Sequence, residues 1–215
     1  MSLELSGTTG VKGVAGSVSA PSIVGDDTNT GISFPSADTI KFSTGGVERM
    51  SITNSGISGI TAGITMADQW RITSAYTNSG TNFITSNWER VDSTAFGQLG
   101  TGMTESSGVF TFPSTGIYFV NFFTTHRQVN GNSMYNGIQF HVTTDNSSYI
   151  QLANAYDSVA QTAYFANTAL SHIVDITNTS THKIKFAHVA EQSSNIAGST
   201  NQTETGVTFI RLGDT

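Results

Sequence analysis

The sequence predicts an all-β chain, with a small β-rich segment over residues 1–65 followed by a sandwich of short strands over 66–215. Three observations predict it. Short apolar runs recur at turn-separated intervals with Asn, Gly and Ser between them, the pattern of sandwiches and barrels. Charged residues make up 11% of the chain while 37% is hydrophobic and 10% aromatic, which excludes the core-poor composition of a disordered chain. One stretch, Gly108 to Phe123, is apolar on both faces.

Residues 1–65 contain no Trp or Tyr, and Gly, Ser, Thr and Val dominate them. Such a segment buries little apolar surface by itself, so a lone copy is expected to fold poorly. Within it Thr39–Phe42 reads as a strand, Ser43–Gly46 as a turn and Val47–Ile52 as the returning strand, with another turn at Asn54–Gly56. Ile32, Phe34, Ile40, Phe42, Met50 and Ile52 keep too regular an apolar rhythm for a flexible linker. An ordered stalk is expected, its core supplied by three chains together. Gly59–Ala67 has the composition of a hinge.

Asp68–Ile72 then opens the sandwich, Thr77–Gly80 makes a turn, and Phe83–Val91 forms a strand with Trp88 as core anchor. After a link at Phe96–Gly100, the stretch Gly108–Phe123 reads as strand, turn through Pro113 and Gly116, and second strand. Ile117, Phe119 and Phe123 take one face of that second strand, and Tyr118, Val120 and Phe122 the other. A one-sided sheet would alternate apolar with polar residues, so both faces need cover, one of them from a partner subunit. Further strands are expected at Gly137–Thr143, Tyr149–Ala155, Ala163–Ile176, Lys183–Val189 and Gly206–Leu212. Ala153–Ala169 is Ala-rich enough for a helix, but its aromatic and Asn content and the β-branched run at Ile173–Ile176 place it in strand and loop.

Composition also narrows the function. The net charge is -6 and no Lys/Arg block exists, so nucleic-acid binding lacks its electrostatic footprint. Without cysteine there is no disulfide framework, thiolate chemistry or zinc–thiolate site, which favours assembly inside a cell. Met1–Leu5 shows no basic or apolar leader region, predicting no signal peptide. The uncharged run Ser106–Thr125 has the period of a strand and is broken by Pro113, so no membrane insertion is expected.

Chemistry is hard to find. His126, His141, His172, His182 and His188 lack partners at metal-ligand spacing and read as structural or surface side chains. No Gly-x-Ser-x-Gly elbow occurs, and the glycines of Gly97–Gly102 lack the strand–helix context of a phosphate loop. Asp26 and Asp27 read as turn caps, and the head is too poor in acidic residues to suggest a glycosidase pair. Catalytic, metal and cofactor residues are all expected to be absent. Recognition is expected from loops instead: Asn130, Asn132, Met134, Tyr135 and Asn136; Asp145 and Asn146; Asn178 and His182; and Gln192, Asn195 and Asn201. Adaptable hydrogen-bonding groups around an aromatic suit a host-surface glycan or protein, and suit a merely soluble loop surface equally well.

Two resemblances add to these readings. Asp26–Pro35 followed by Asp38–Gly56 resembles a module that precedes fibre heads in structural proteins of tailed phages, especially phages of marine bacteria. Over about residues 20–60 it implies a virion component, assembled in the host cytoplasm. Gly108, Phe110, Gly116, Tyr118 and Val120 resemble the Gly-x-Phe-Thr…Gly-x-Tyr-x-Val signature of the tumour-necrosis-factor-like (TNF-like) superfamily, in its complement globular-head branch. Thr205–Leu212 resembles that family's closing strand and the segment around Trp70 its opening one. Over about residues 66–215 this implies a ten-stranded jelly roll packed as a homotrimer. The animal members' proline is displaced to Pro113 and no acidic calcium cluster accompanies it.

On this reading Tyr118, Phe119, Val120, Phe123 and Phe209 supply the protomer core and the three-fold contact between them. Each buried Phe contributes about 1.5–3 kcal/mol, which offsets the missing disulfides. The expectation is a trimeric tail fibre or spike, joined to other virion proteins by its stalk and meeting the host surface with its head, without catalysis. A capsid decoration trimer that stabilises the head shell is the rival reading, and a glycan-processing enzyme the third.

Overall fold

The computed structural model describes residues 4–6, 10–12, 15–59 and 63–215. The chain divides into two compact units, Met1–Ala62 and Gly63–Thr215. The expected hinge at Gly59–Ala67 lies partly outside the described residues, and its far end, Met66 and Ala67, already belongs to a strand of the second unit.

In the first unit β1 (Glu4–Ser6) pairs with β2 (Gly10–Lys12). Then β3 (Ile23–Val24), β4 (Gly31–Ser33), β5 (Ile40–Thr44), β6 (Val47–Thr53) and β7 (Gly56–Ser58) form one antiparallel sheet in chain order. Gly45 and Gly46, both at positive φ, turn β5 into β6, as the hairpin reading expects. Ile23 stands opposite Ile32, Ile32 opposite Phe42 and Phe42 opposite Met50, while Ile40, Ile52 and Ile57 form a parallel row. Opposed residues share a face, so the whole apolar rhythm gathers on one side of the sheet. The other side carries Ser33, Ser43 and Ser51, and these serines are the buried residues among those described in this unit. Ile57 is 64% exposed. Among its described residues the unit has an apolar face but no core of its own.

The second unit contains β8 (Met66–Ile72), β9 (Ser74–Phe83), β10 (Trp88–Arg90), β11 (Thr104–Ser106), β12 (Val109–Thr111), β13 (Gly116–Gln128), β14 (Ser133–Thr143), β15 (Ile150–Val159), β16 (Phe165–Ile176), β17 (Lys183–Ser199) and β18 (Gly206–Gly213). One layer has the order β10-β8-β18-β13-β16; in the other, β14 lies between β15 and β17, and β9 and β12 pair along β17. The layers join where the end of β13 pairs with Ser194–Ile196 of β17. These are eleven strands rather than ten.

Two local expectations fail. Thr77–Gly80 is strand, not turn, and Phe83–Val91 is not one strand but the end of β9, a break, and then β10. Pairing along β17 holds Thr77, Asn78 and Gly80 in β9, so tertiary partners override their turn propensity. The break falls at Ile84, which turns into the core and accepts a 2.9 Å hydrogen bond from the Trp88 indole.

The core follows from alternation. Tyr118, Val120 and Phe122 point inward from β13 and meet Phe110, Phe112, Phe140, Phe186 and Phe209. Phe186 lies at the centre, its ring centroid 4.5 Å from that of Phe122 and 5.6 Å from those of Phe110 and Phe140. Trp88 covers this cluster at 5.9 Å from Phe186. Gly108 turns β11 into β12 at φ +78, and a Cβ there would stand 2.3 Å from the Ile84 carbonyl oxygen. Gly108→Ala is therefore expected to lower stability by more than about 1 kcal/mol, read as a shifted denaturation midpoint. An unchanged midpoint would mean that the turn relaxes freely.

Candidate functional site

The twelve residues expected in recognition loops do not form one surface. Asn130 and Asn132 are exposed in the connection from β13 to β14. Asp145 and Asn146 lie at the other end of β14 and touch the Asn178–His182 turn through a 3.0 Å bond from Asn146 N–H to the Thr181 carbonyl. An eleven-residue strand separates the two groups, about 35 Å of chain. Met134 and Tyr135 sit on β14 itself, and Gln192 and Asn195 on β17, which runs on as strand to Ser199. Asn201 alone of the last group lies in the connection to β18.

Three of these side chains are committed within the protomer. Asn136 is fully buried and donates to Gln128 at 3.1 Å across the hairpin, so it cannot meet a partner. The Asp145 carboxylate accepts from the backbone N–H groups of Ser148 and Ser147 at 2.8 Å and from the Thr143 hydroxyl at 2.7 Å. Those donors, the Ser148 N–H first, hold its pKa well below the usual carboxylate range. Asn178 likewise accepts from Ser180 N–H at 2.9 Å. These two turns are built by their polar residues, so Asp145 and Asn178 are occupied by the backbone around them.

The set assigned jointly to core and three-fold contact divides cleanly. Tyr118, Val120 and Phe209 are wholly inside the protomer, so they touch no partner. Phe119 and Phe123 lie half-buried on the outer face of the first layer. There a row crosses the sheet from Ile173 through Phe119, Ile210 and Ala67 to Leu99. Ile173 is 59% and Leu99 46% exposed. In the adjoining row, Asn121 of β13 keeps a shielded carbonyl oxygen that finds no donor in the protomer. Sequence reading missed Ile173, Ile210 and Leu99, because each lies in a run that gives no sign of which face is outside.

A second feature escaped it altogether. Along the inward face of β13 the chemistry changes from Tyr118, Val120 and Phe122 to Thr124, His126 and Gln128, all of them buried. His126 Nδ1 lies 3.2 Å from His188 Nε2, and the two rings stack with centroids 5.1 Å apart. Thr124 Oγ1 lies 2.7 Å from His126 Nε2, and His188 Nδ1 meets Asn78 Oδ1. The Asn78 amide nitrogen donates to the Gly80 carbonyl, so its oxygen faces the ring and only accepts. His188 then carries its proton on Nδ1, its Nε2 accepts from His126 Nδ1–H, and His126 Nε2 accepts from the threonine hydroxyl. Both imidazoles are neutral in this chain of donors. Burial pushes their pKa values down, to about 4 for His126 and about 3 for His188, where the neighbouring His126 charge adds to the effect. With both side chains at 0% exposure, no substrate reaches them. Among the described residues no group of three or more His, Asp or Glu side chains is placed to hold a metal ion.

No protein-family model and no curated protein matches the chain. Among solved structures, Eiger TNF from S. frugiperda overlays 71% of this chain and 95% of its own at TM-score 0.55, with 12% identity. Murine APRIL at pH 5.0 overlays 68% of this chain and 98% of its own at TM-score 0.51, also with 12% identity. The fold is a TNF-like jelly roll. A PRD1 vertex protein overlays as well, at TM-score 0.44 and 14% identity, a likeness too slight to argue from. At such identities the likeness is one of architecture, and function must come from the surfaces.

Proposed function

We propose that the chain is a homotrimeric virion structural protein of the tail-fibre or spike type, whose N-terminal unit joins other virion proteins and whose jelly-roll head attaches to a host surface without catalysis. The observation that carries the trimer is the apolar row Ile173–Phe119–Ile210–Ala67–Leu99 on an otherwise uncovered sheet face. Its occupant is a second copy of the same chain. The sheet of the first unit also has an apolar face with no core among its described residues, which three copies would close on one another. The virion role rests on the likeness of residues 20–60 to the phage module. A decoration trimer on the capsid is the second reading, because residues 1–65 carry no repeated shaft motif.

Phe119→Asp places a charge in the middle of the apolar row. It is expected to convert the trimer to a monomer or an aggregate, read by sedimentation equilibrium at micromolar concentration. A wild-type chain that sediments as a folded monomer sinks the trimer. Adsorption of purified protein to host cells separates attachment from decoration, since a decoration protein neither binds cells nor competes with the phage.

A further inference from the structure

The outer face of the second layer holds a group of side chains that neither the core nor the proposed three-fold contact uses. Register sets Gly137 of β14 between Tyr156 of β15 and Val189 of β17, with Val189 in turn opposite Thr81 of β9. Over this row opens a concavity of about 480 Å³ lined by Thr81, Tyr135, Tyr156 and Val189. Gly137 makes room for it. A Cβ there would stand 2.3 Å from Tyr156 Cδ1, so the ring rests directly on bare backbone. Tyr135 meets Tyr156 edge to face, with centroids 5.9 Å apart and planes at 83°. Two aromatic walls thus stand at right angles, and both stay accessible, at 48% for Tyr156 and 42% for Tyr135.

The polar groups beside these walls are held in place. Gln139 Nε2 donates to the Tyr156 hydroxyl oxygen at 3.4 Å, and Gln139 Oε1 lies 2.9 Å from His141 Nε2. Since Tyr156 accepts from Gln139, its own O–H is left to donate outward. None of the four lining residues is charged. Exposed tyrosines are common on soluble proteins; a ring seated on a glycine, braced by a second ring and orienting a free hydroxyl over a concavity is a more particular arrangement.

We infer that this concavity binds a neutral saccharide, one pyranose ring lying on Tyr156. The C–H face of a pyranose is apolar and slightly positive, so it suits the negative face of an aromatic ring. Its equatorial hydroxyls need donors and acceptors at the edge of that face, which the Tyr156, Tyr135 and Thr81 hydroxyls supply. An anionic polymer finds no cation among the lining residues. A protein anchor would need an enclosed, dry pocket, whereas this site is open and rimmed with hydroxyls. The inference rests on the attachment reading and gives it a ligand class; a low affinity per site suffices when several copies act together.

The test titrates the full chain with methyl glycosides of glucose, galactose, mannose and N-acetylglucosamine and with their disaccharides, followed by backbone amide shifts. At least one probe is expected to move Thr81, Tyr135, Tyr156 and Val189 while leaving Asn130 and Asp145 still. Tyr156→Ala should weaken that probe about tenfold or more, and Tyr156→Phe, which keeps the ring, should weaken it less. Tyr135→Ala serves as a second variant, and an unchanged melting curve shows that each variant folds. No shift at these four residues with any probe, or full affinity in both alanine variants, overturns the site. Adsorption to cells separates this site from the attachment reading. Variants that lose the saccharide yet adsorb normally, or adsorption that survives periodate oxidation of the cell surface, leave both the site and attachment standing and overturn the claim that this site supplies the attachment ligand. Saccharide binding by a wild-type chain that adsorbs to no cell supports the site and removes the attachment reading.

Discussion

Asp68→Ala is expected to cost the head about 3 kcal/mol or more, through orphaned donors rather than lost charge. The Asp68 side chain is wholly buried. Its Oδ1 accepts from Gln69 N–H at 2.9 Å and Arg90 Nε at 3.0 Å, and its Oδ2 from the Trp70 indole at 2.9 Å and Met103 N–H at 2.7 Å. One carboxylate therefore ties β8 to β10 and to the approach to β11. Arg90 is 35% exposed and can turn to water when its partner goes, so a stranded cation is not the main penalty. The Met103 N–H has no such escape, because Met103 is fully buried. Each buried group left without a partner costs about 1–3 kcal/mol, and the Trp70 indole adds a second. Asp68→Asn keeps one carbonyl oxygen and should lose less. Denaturation midpoints of the two variants decide it: a loss under about 1 kcal/mol in Asp68→Ala would mean that the donors find other acceptors.

The architecture was legible where the chain speaks in periods of two. In β13 the alternation of Ile117, Phe119 and Phe123 with Tyr118, Val120 and Phe122 reads correctly as a strand, and the second set forms its buried face. Which side is the core does not follow from it, because the two sets have the same chemistry. The choice is made by Phe110, Phe186 and Phe209, which reach β13 from distant parts of the chain. Turn residues misled for a related reason. Thr77–Gly80 has the composition of a turn and Gln192–Asn195 that of a loop, yet both belong to strands, because β9 and β17 satisfy each other's backbone. Polar residues were read as surface, and Asn136 corrects that: its partner Gln128 lies across a hairpin, so nothing next to it in sequence announces the burial.

The surfaces were harder still. Tyr135 was legible as an aromatic among small polar residues. Tyr156, which gives it a wall to stand against, lies just past the expected strand Tyr149–Ala155, and Gly137 matters only because a ring crosses it. A binding surface on a sheet is assembled across strands, and its spacing in the sequence carries no period. The two histidines illustrate the same limit inside the protein, with 62 positions between partners that touch.

That histidine pair also governs the response to acid, where stability is expected to fall steeply between pH 6.5 and 4. The folded state holds both imidazoles neutral, chiefly through burial, with pKa values near 4 and 3 against an ordinary 6.5. Their full contribution is present above pH 6.5. It is lost as the pH falls through 6.5 toward the folded values, because the unfolded chain takes up protons that the folded one refuses. At about 1.4 kcal/mol per pH unit, each imidazole gives up on the order of 3 kcal/mol by pH 4, against a typical total of about 5–15 kcal/mol. One proton can be met by shifting tautomers along the Thr124–His126–His188 chain. A second sets two N–H groups against each other at the 3.2 Å contact, so the pair resists double protonation. Asp157 favours the His126 cation but acts against the larger effect of burial. His141, also lowered by burial, adds to the same trend, whereas Asp145 begins to titrate only below this window. Denaturation midpoints measured from pH 7 to 4 should show the loss in the wild type and a much flatter curve in the His126→Gln, His188→Gln double variant. The slope is the readout, whatever the variant's stability at pH 7, and parallel curves would place the acid sensitivity elsewhere.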